Sequence, residues 1–190
     1  RRDAIAGARK QRMDRFRIAY GWVASPTNQR SLITTIVPAG VICGNSVPTI
    51  LLENGSDLDQ LLFVGCANSL CMDFVVRKRV SLNLAHSIVD TLPFPRNFRK
   101  TPAAQEIANR VFSLCAVGEE MEVYRQELWG HNCIPKAQQL LIDPENRAAV
   151  SAEIDVLVAR EVYGLTEREM HYILDPDNIL GKDCGVETFK

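Results

Sequence analysis

Short runs of β-branched and aromatic residues, separated by glycine and proline, predict strands in the first third of the chain. FRIAYGWVA, residues 16–24, alternates loosely between apolar and polar positions and ends before a Ser-Pro step. SLITTIVP (31–38), VICGN (41–45) and VPTILLEN (47–54) follow with the same composition. Together these runs predict a small mixed or antiparallel sheet.

The most apolar stretch, LLFVGCANSLCMDFVV, predicts a buried helix over residues 58–78. Ser56 lies at the position of an N-cap, and small residues such as Gly65 would let a neighbouring element approach closely. The stretch has 16 residues and includes Asp73, whereas a membrane span needs roughly 20 apolar residues. We therefore expect a core helix and no membrane association.

From residue 102 onward the apolar spacing changes to that of helices. Apolar residues recur every three or four positions over 102–130 and predict one long amphipathic helix. A second helix is expected over 144–163, with Gly164 as its stop. A third begins at Thr166, whose hydroxyl can cap the amide of Glu169 while the Glu169 carboxylate reaches back. The fold class is therefore predicted to be α+β, a small sheet with a buried helix followed by a helical C-terminal tail.

The net charge of −1 conceals two oppositely charged halves. Residues 1–100 contain 14 Lys and Arg against 7 Asp and Glu, whereas residues 101–190 contain 8 against 16. This split suggests that residues 1–100 form a module that meets a polyanion, and that residues 101–190 form a helical region facing solvent or another protein. Segregation of charge by chance onto solvated helix faces is the alternative.

The six cysteines, at positions 43, 66, 71, 115, 133 and 184, are scattered and form no C-x-x-C pair. Zinc sites commonly use closely spaced thiolates, so the spacing does not predict a metal site. Without a secretory leader before Arg1, we expect reduced thiols and a cytoplasmic fragment of a longer protein.

Familiar catalytic motifs are missing from the sequence. It contains no G-x-G-x-x-G, no P-loop and no H-E-x-x-H, and the histidines His86, His131 and His171 lie far apart. An enzyme that used Cys66 or Cys71 as its nucleophile would need a histidine beside one of them in space. The sequence therefore predicts no catalytic residue and no cofactor within this chain.

Residues suited to DNA contact cluster in the basic half. Cations after the buried helix can complement its C-terminus or reach phosphates, and Arg, Asn and Gln carry the donors and acceptors that read base edges. For Arg30 a structural ion pair with a buried carboxylate such as Asp73 is an equal alternative, because it directly precedes a predicted strand. Whether Arg30 contacts DNA or forms an ion pair, we expect the polar residues at the start of PTNQRSLITTIVP (26–38) to hold the loop before the predicted strand against the core. The candidates for DNA contact are Asn28, Arg30, Asn45, Arg77, Lys78 and Arg79.

Three segments, in order, resemble one family. FRIAYGWVASPTNQRSLITTIVP is similar to a "T-N-E-R-T-L-I" segment in the C-terminal target-recognition regions of bacterial DNA adenine methyltransferases, especially type IIG restriction-modification enzymes. CANSLCMDFVVRKRVSLNLAHSIVDTLPFPR and AEIDVLVAREVYGLTEREMHYIL resemble the two segments that follow, and the closing ETF is typical of that end. Gln29 and Ser31 depart from the usual Glu and Thr, so no role is carried over to them.

The resemblance implies recognition of a short sequence in double-stranded DNA. In that family an upstream domain with an Asn-Pro-Pro-Tyr motif transfers a methyl group from S-adenosylmethionine to an adenine flipped out of the duplex. This chain lacks that motif. The alternative from another class is a protein-interaction module whose acidic helices dock on a partner.

Overall fold

The computed structural model describes residues 13–25, 28–52 and 54–175, without the side chain of Phe98. The cations Arg9, Lys10 and Arg12, and the closing ETF, lie outside the described residues.

The sheet has three antiparallel strands in the order β2-β1-β3. β1 is Arg17–Tyr20, β2 is Thr34–Val37 and β3 is Thr49–Ile50. Ile18 of the central strand lies opposite both Ile36 and Ile50. Two of the three runs that follow β1 form strands, within the two or three that the sequence predicts. The remaining run, residues 41–45, forms a loop whose backbone accepts a hydrogen bond from the Arg17 side chain and closes a turn.

The predicted buried helix is two helices, α1 (Asp57–Ala67) and α2 (Leu70–Arg77), bent by 60°. Ser56 is the N-cap of α1, as the sequence predicted, and the structure adds a capping box with Asp59. The break occurs because Ser69 starts a new helix by accepting the Met72 amide. No single helix in the described part of the chain is long and apolar enough to cross a membrane, and only this bent pair reaches that length when taken together.

Short helices follow: α3 is His86–Val89, and a 3₁₀ turn covers Phe98–Lys100. The long helix predicted over 102–130 is interrupted, giving α4 (Ala104–Cys115) and α5 (Glu122–Gly130). The interruption lies at Gly118, whose φ of 99° is outside the helical region and suits glycine.

The last two helices match their prediction closely. α6 (Pro144–Leu157) continues as a π-helical turn, Val158–Val162, and stops at Gly164 with a φ of 64°. α7 (Glu167–Leu174) starts at the predicted capping box of Thr166 and Glu169.

One hydrophobic core continues across residue 100. α1 is buried between the sheet and α4, where a β-carbon added to Gly65 would meet Ile107 at 2.8 Å. The ring of Phe16, just before β1, packs on that of Tyr124 in α5 at 4.7 Å. The predicted α+β class, a small antiparallel sheet with a helical C-terminal part, is confirmed.

Candidate nucleic-acid interface

A groove of about 880 Å³ opens beside the end of β1, between three segments of the basic half. The Trp22 amide donates to the Ser46 carbonyl at 3.0 Å, which aligns the loop before β3 with the chain leaving β1. That loop ends in a turn closed by the Val47 amide on the Gly44 carbonyl at 3.0 Å. On the other side the Leu84 amide donates to the Trp22 carbonyl at 2.8 Å. Backbone bonds therefore hold both walls of the groove.

The lining of the groove combines hydrogen-bond donors with an indole ring and an imidazole ring. The Trp22 and His86 rings lie 6.1 Å apart at an angle of 59°. Its polar and aromatic members are Arg17, Trp22, Asn45, Ser46, Thr49 and His86.

Tyr20 fixes the position of His86 in this wall. Tyr20 Oη and His86 Nδ1 lie 3.0 Å apart, and the two rings meet edge to face. Burial, together with the nearby Asp90 carboxylate, raises the pKa of the Tyr20 phenol, so it keeps its proton at neutral pH. Because Nδ1 is bonded to Tyr20, Nε2 is the ring nitrogen left to meet a ligand.

Exposed apolar side chains border the groove. Val23, which lines it, is 73% exposed, and Ile42 and Leu82 are 78% and 71% exposed. Leu82 adjoins the wall because its carbonyl accepts the Ala24 amide at 3.2 Å.

Arg30, a candidate for DNA contact, is held in an ion pair. Its Nη2 lies 2.9 Å from Oδ2 of Asp155, a buried carboxylate of α6. Burial raises the pKa of Asp155 above its usual range, although the Arg30 guanidinium opposes the rise. Arg30 therefore forms the structural ion pair that is the alternative to DNA contact, and the carboxylate in the pair is Asp155 and not Asp73.

Asp73 instead organises the loop that precedes β2. It is fully buried, and its Oδ1 accepts the amides of Ser31 at 2.6 Å and Leu32 at 3.1 Å. Its Oδ2 accepts Arg77 Nε at 2.7 Å, and Arg77 donates onward to the carbonyls of Asn28 and Gln29. The Arg77 side chain is only 9% exposed, so its contacts are those of a positioning residue.

Of the remaining candidates, four lie at the surface. Lys78 has its ammonium 4.2 Å from the centre of the Phe74 ring, and Arg79 donates to the Thr91 carbonyl at 2.9 Å. Asn28 is exposed on the loop that Arg77 holds, and Asn45 is exposed at the turn of the groove. The structure thus brings one of the six candidates, Asn45, into the groove.

Arg17, Trp22 and His86 were not among the candidates from the sequence. Arg17 lies in a strand. The sequence does not show that its side chain turns away from solvent toward the loop that begins at Val41, 24 positions later. The usable signal is the position of Trp22, near the end of a predicted strand and shortly before the Ser-Pro break.

The buried thiols are unsuited to nucleophilic catalysis. Burial raises the pKa of Cys66 to about 12 and that of Cys71 to about 11, which keeps both protonated. The Cys71 thiol lies 3.7 Å from the sulfur of Met170. Within the described ranges, no group of three or more His, Cys, Asp or Glu side chains is placed to hold a metal ion.

Neither a scan against models of known protein families nor a search of curated proteins finds a match to this sequence.

Proposed function

We propose that this chain is the DNA target-recognition part of a bacterial restriction-modification adenine methyltransferase, active in the cytoplasm. The catalytic domain lies upstream in the parent protein and holds S-adenosylmethionine. This chain supplies no catalytic residue and no ligand to that cofactor. Its role is to bind double-stranded DNA and position the target adenine.

The observation that carries the proposal is the groove beside β1. It is lined by residue types that contact nucleic acid: an arginine, an asparagine, hydroxyls, a histidine and a tryptophan. No carboxylate lines it among the described residues. Asn45, at the tip of its turn, has the amide that pairs with adenine in the major groove.

Cations on the segment beside the groove support the same proposal. Arg79 precedes the segment that contains Leu84 and His86, which reaches the groove wall. Its guanidinium donates a hydrogen bond to the Thr91 carbonyl just beyond that segment. Lys78 is its exposed neighbour. We assign phosphate contacts to Lys78 and Arg79, base contact to Asn45 and Asn28, and positioning of the Asn28 loop to Arg30 and Arg77.

The docking alternative receives less support from the packing of the acidic half. An apolar stripe over residues 107–128 would favour a protein partner. Ile107, Val111 and Leu128 are instead buried in the core, and Val123 is the large apolar residue of that range that is exposed. Docking would then depend on the charged outer surface of α4 and α5.

The test is binding of the chain to a pool of randomised duplex DNA over a salt series. Affinity should fall steeply with salt, and Lys78→Gln or Arg79→Gln should each reduce the slope by about 1. Asn45→Ala should cost about 1–3 kcal/mol on selected sequences and relax their selection. Lys136→Gln, an exposed cation on the acidic half, is the matched control. Absence of binding at roughly 10⁻⁴ M and low salt would reject the proposal.

A further inference from the structure

Arg17 places a buried guanidinium at the groove without a matching carboxylate. The residue is 6% exposed, and its Nη2 donates to the Val41 carbonyl. Its Nε is sealed from solvent and has no acceptor in the part of the chain that the structure describes. Among the described residues, no Asp or Glu lies within ion-pair distance of Arg17. A buried charge without a counter-charge is unfavourable, so this guanidinium favours a bound anion.

The other polar groups of the groove also favour a bound anion. Asn45 can donate through its amide, Ser46 and Thr49 through their hydroxyls, and His86 through Nε2. With Arg17 they form a concave set of donors in which no carboxylate repels an anion. A guanidinium fork matches the oxygens of a phosphate better than it matches a spherical ion such as chloride.

We infer that the groove is a phosphate-binding site, with Arg17 supplying the charge and Ser46, Thr49 and His86 supplying further donors, while Asn45, assigned above to a base contact, lines the same groove. Trp22 offers an aromatic face beside it for the sugar or base attached to that phosphate. The inference rests on the proposed function in one respect: the source of the phosphate is the DNA backbone. Free phosphate is the other source of the same chemistry.

Tryptophan fluorescence allows a direct test. The chain has two tryptophans, and Trp129→Phe leaves Trp22 in the groove as the sole reporter. Titration with inorganic phosphate against chloride at equal ionic strength should give a saturable change for phosphate alone. Asn45→Asp adds a carboxylate at an exposed turn position, so it should weaken phosphate binding at least tenfold while the fold is kept. Asn146→Asp, an exposed residue of α6, makes the same charge change away from the groove and should have no effect.

Arg17→Gln should abolish the response, and Arg17→Lys should retain part of it if the strand tolerates the change. Because Arg17 is buried, both Arg17 variants could unfold. In that case the phosphate response of the exposed Asn45→Asp variant tests the inference. No saturable phosphate response in the Trp22 reporter, or equal responses in Asn45→Asp and Asn146→Asp, would overturn the inference.

The same variants in duplex DNA binding separate the inference from the proposed function. Loss of phosphate binding in Asn45→Asp, together with weaker DNA binding on randomised as well as selected sequences, supports the site with DNA as its source, because loss of a base contact alone would affect selected sequences only. Phosphate binding without DNA binding supports the site, with free phosphate as its source, and rejects the proposed function. DNA binding by the parent chain without a phosphate response rejects the site and leaves the proposed function standing.

Discussion

Arg30 and Asp155 form an ion pair of 2.9 Å between residues 125 positions apart in the chain. The second oxygen of Asp155 accepts the Leu70 amide at 2.7 Å. One carboxylate of the acidic half therefore holds both the loop before β2 and the start of α2. The two oppositely charged halves meet at this residue.

A double-mutant cycle should detect this pair. Arg30→Gln and Asp155→Asn are expected to show a coupling energy of about 0.5–3 kcal/mol in urea unfolding, since the side chains are in contact. Asp155→Ala should cost more than Asp155→Asn, because Asn keeps an acceptor for the Leu70 amide. Additive effects of the two changes would show that the pair does not stabilise the fold. Arg168→Gln, an exposed cation of α7, is the charge control.

Loss of Asp73 should be among the most destabilising changes in the molecule. Asp73→Ala leaves the Ser31 and Leu32 amides without their acceptor and removes the counter-charge of Arg77, at an expected cost of about 3–5 kcal/mol. Chemical denaturation measures it. Asp90→Ala, at an exposed carboxylate, should stay within about 0.5 kcal/mol of the parent chain. Similar costs for the two variants would contradict the assigned role of Asp73.

Gly65 should not tolerate a methyl group. In Gly65→Ala the new β-carbon would lie 2.8 Å from Ile107 Cγ2 and 3.0 Å from Val111 Cγ2, so α1 and α4 must separate. We expect a loss of about 1–3 kcal/mol in the free energy of unfolding. In Gly130→Ala nothing lies within 4 Å of the added carbon, so that variant should be neutral or slightly more stable. A stable Gly65→Ala protein would contradict the packing described.

Stability should fall in acid partly because of Asp59. Its hydrogen bond from Arg99 holds the pKa of the carboxyl below its ordinary value, with further help from Ser56. Since the folded pKa lies below the unfolded one of about 3.9, this contribution is present above about pH 4 and is lost as pH falls through the folded value. Asp59→Asn should therefore reduce the loss of thermal stability between neutral and acid pH. The effect is modest because Arg99 is exposed, and an unchanged pH profile would contradict it.

Thiol alkylation should separate the cysteines by position. At about pH 8, iodoacetamide should leave Cys66 and Cys71 unmodified in the native protein, because burial raises the pKa of both and excludes the reagent. Cys43 lines the groove and is half-buried, so it should react before Cys66 and Cys71. Site-resolved mass spectrometry gives the rates, and unfolded protein gives the reference. Fast modification of Cys66 in native protein would contradict its burial.

The sequence was most informative where structure depends on neighbours in the chain. The capping boxes at Ser56 and Thr166 need only residues three positions apart, and both are present. Prediction failed at the breaks in the long helices. Apolar spacing continues through Ser69 and Gly118, so periodicity alone could not show that a hydroxyl cap or a positive φ interrupts it.

The candidate site was only partly predictable, since its residues come from distant segments. Asn45 is predicted as a polar residue in or beside a loop next to a predicted strand, and it does line the groove. Arg30 and Arg77 were identified as cations, but their carboxylates bind them within the fold. The sequence gives the number of charges and not their pairing.

By itself, then, the chain's sequence determined the α+β class, the capped helix starts at Ser56 and Thr166, the helix stop at Gly164, and the uneven charge of its halves, because each follows from short-range spacing or composition. Only the tertiary structure decided which cations are paired, that the core crosses residue 100, and that Arg17 lies buried at a groove without a carboxylate. The physical reason is that an ion pair or a groove depends on the distance between side chains in space, and chain folding sets that distance.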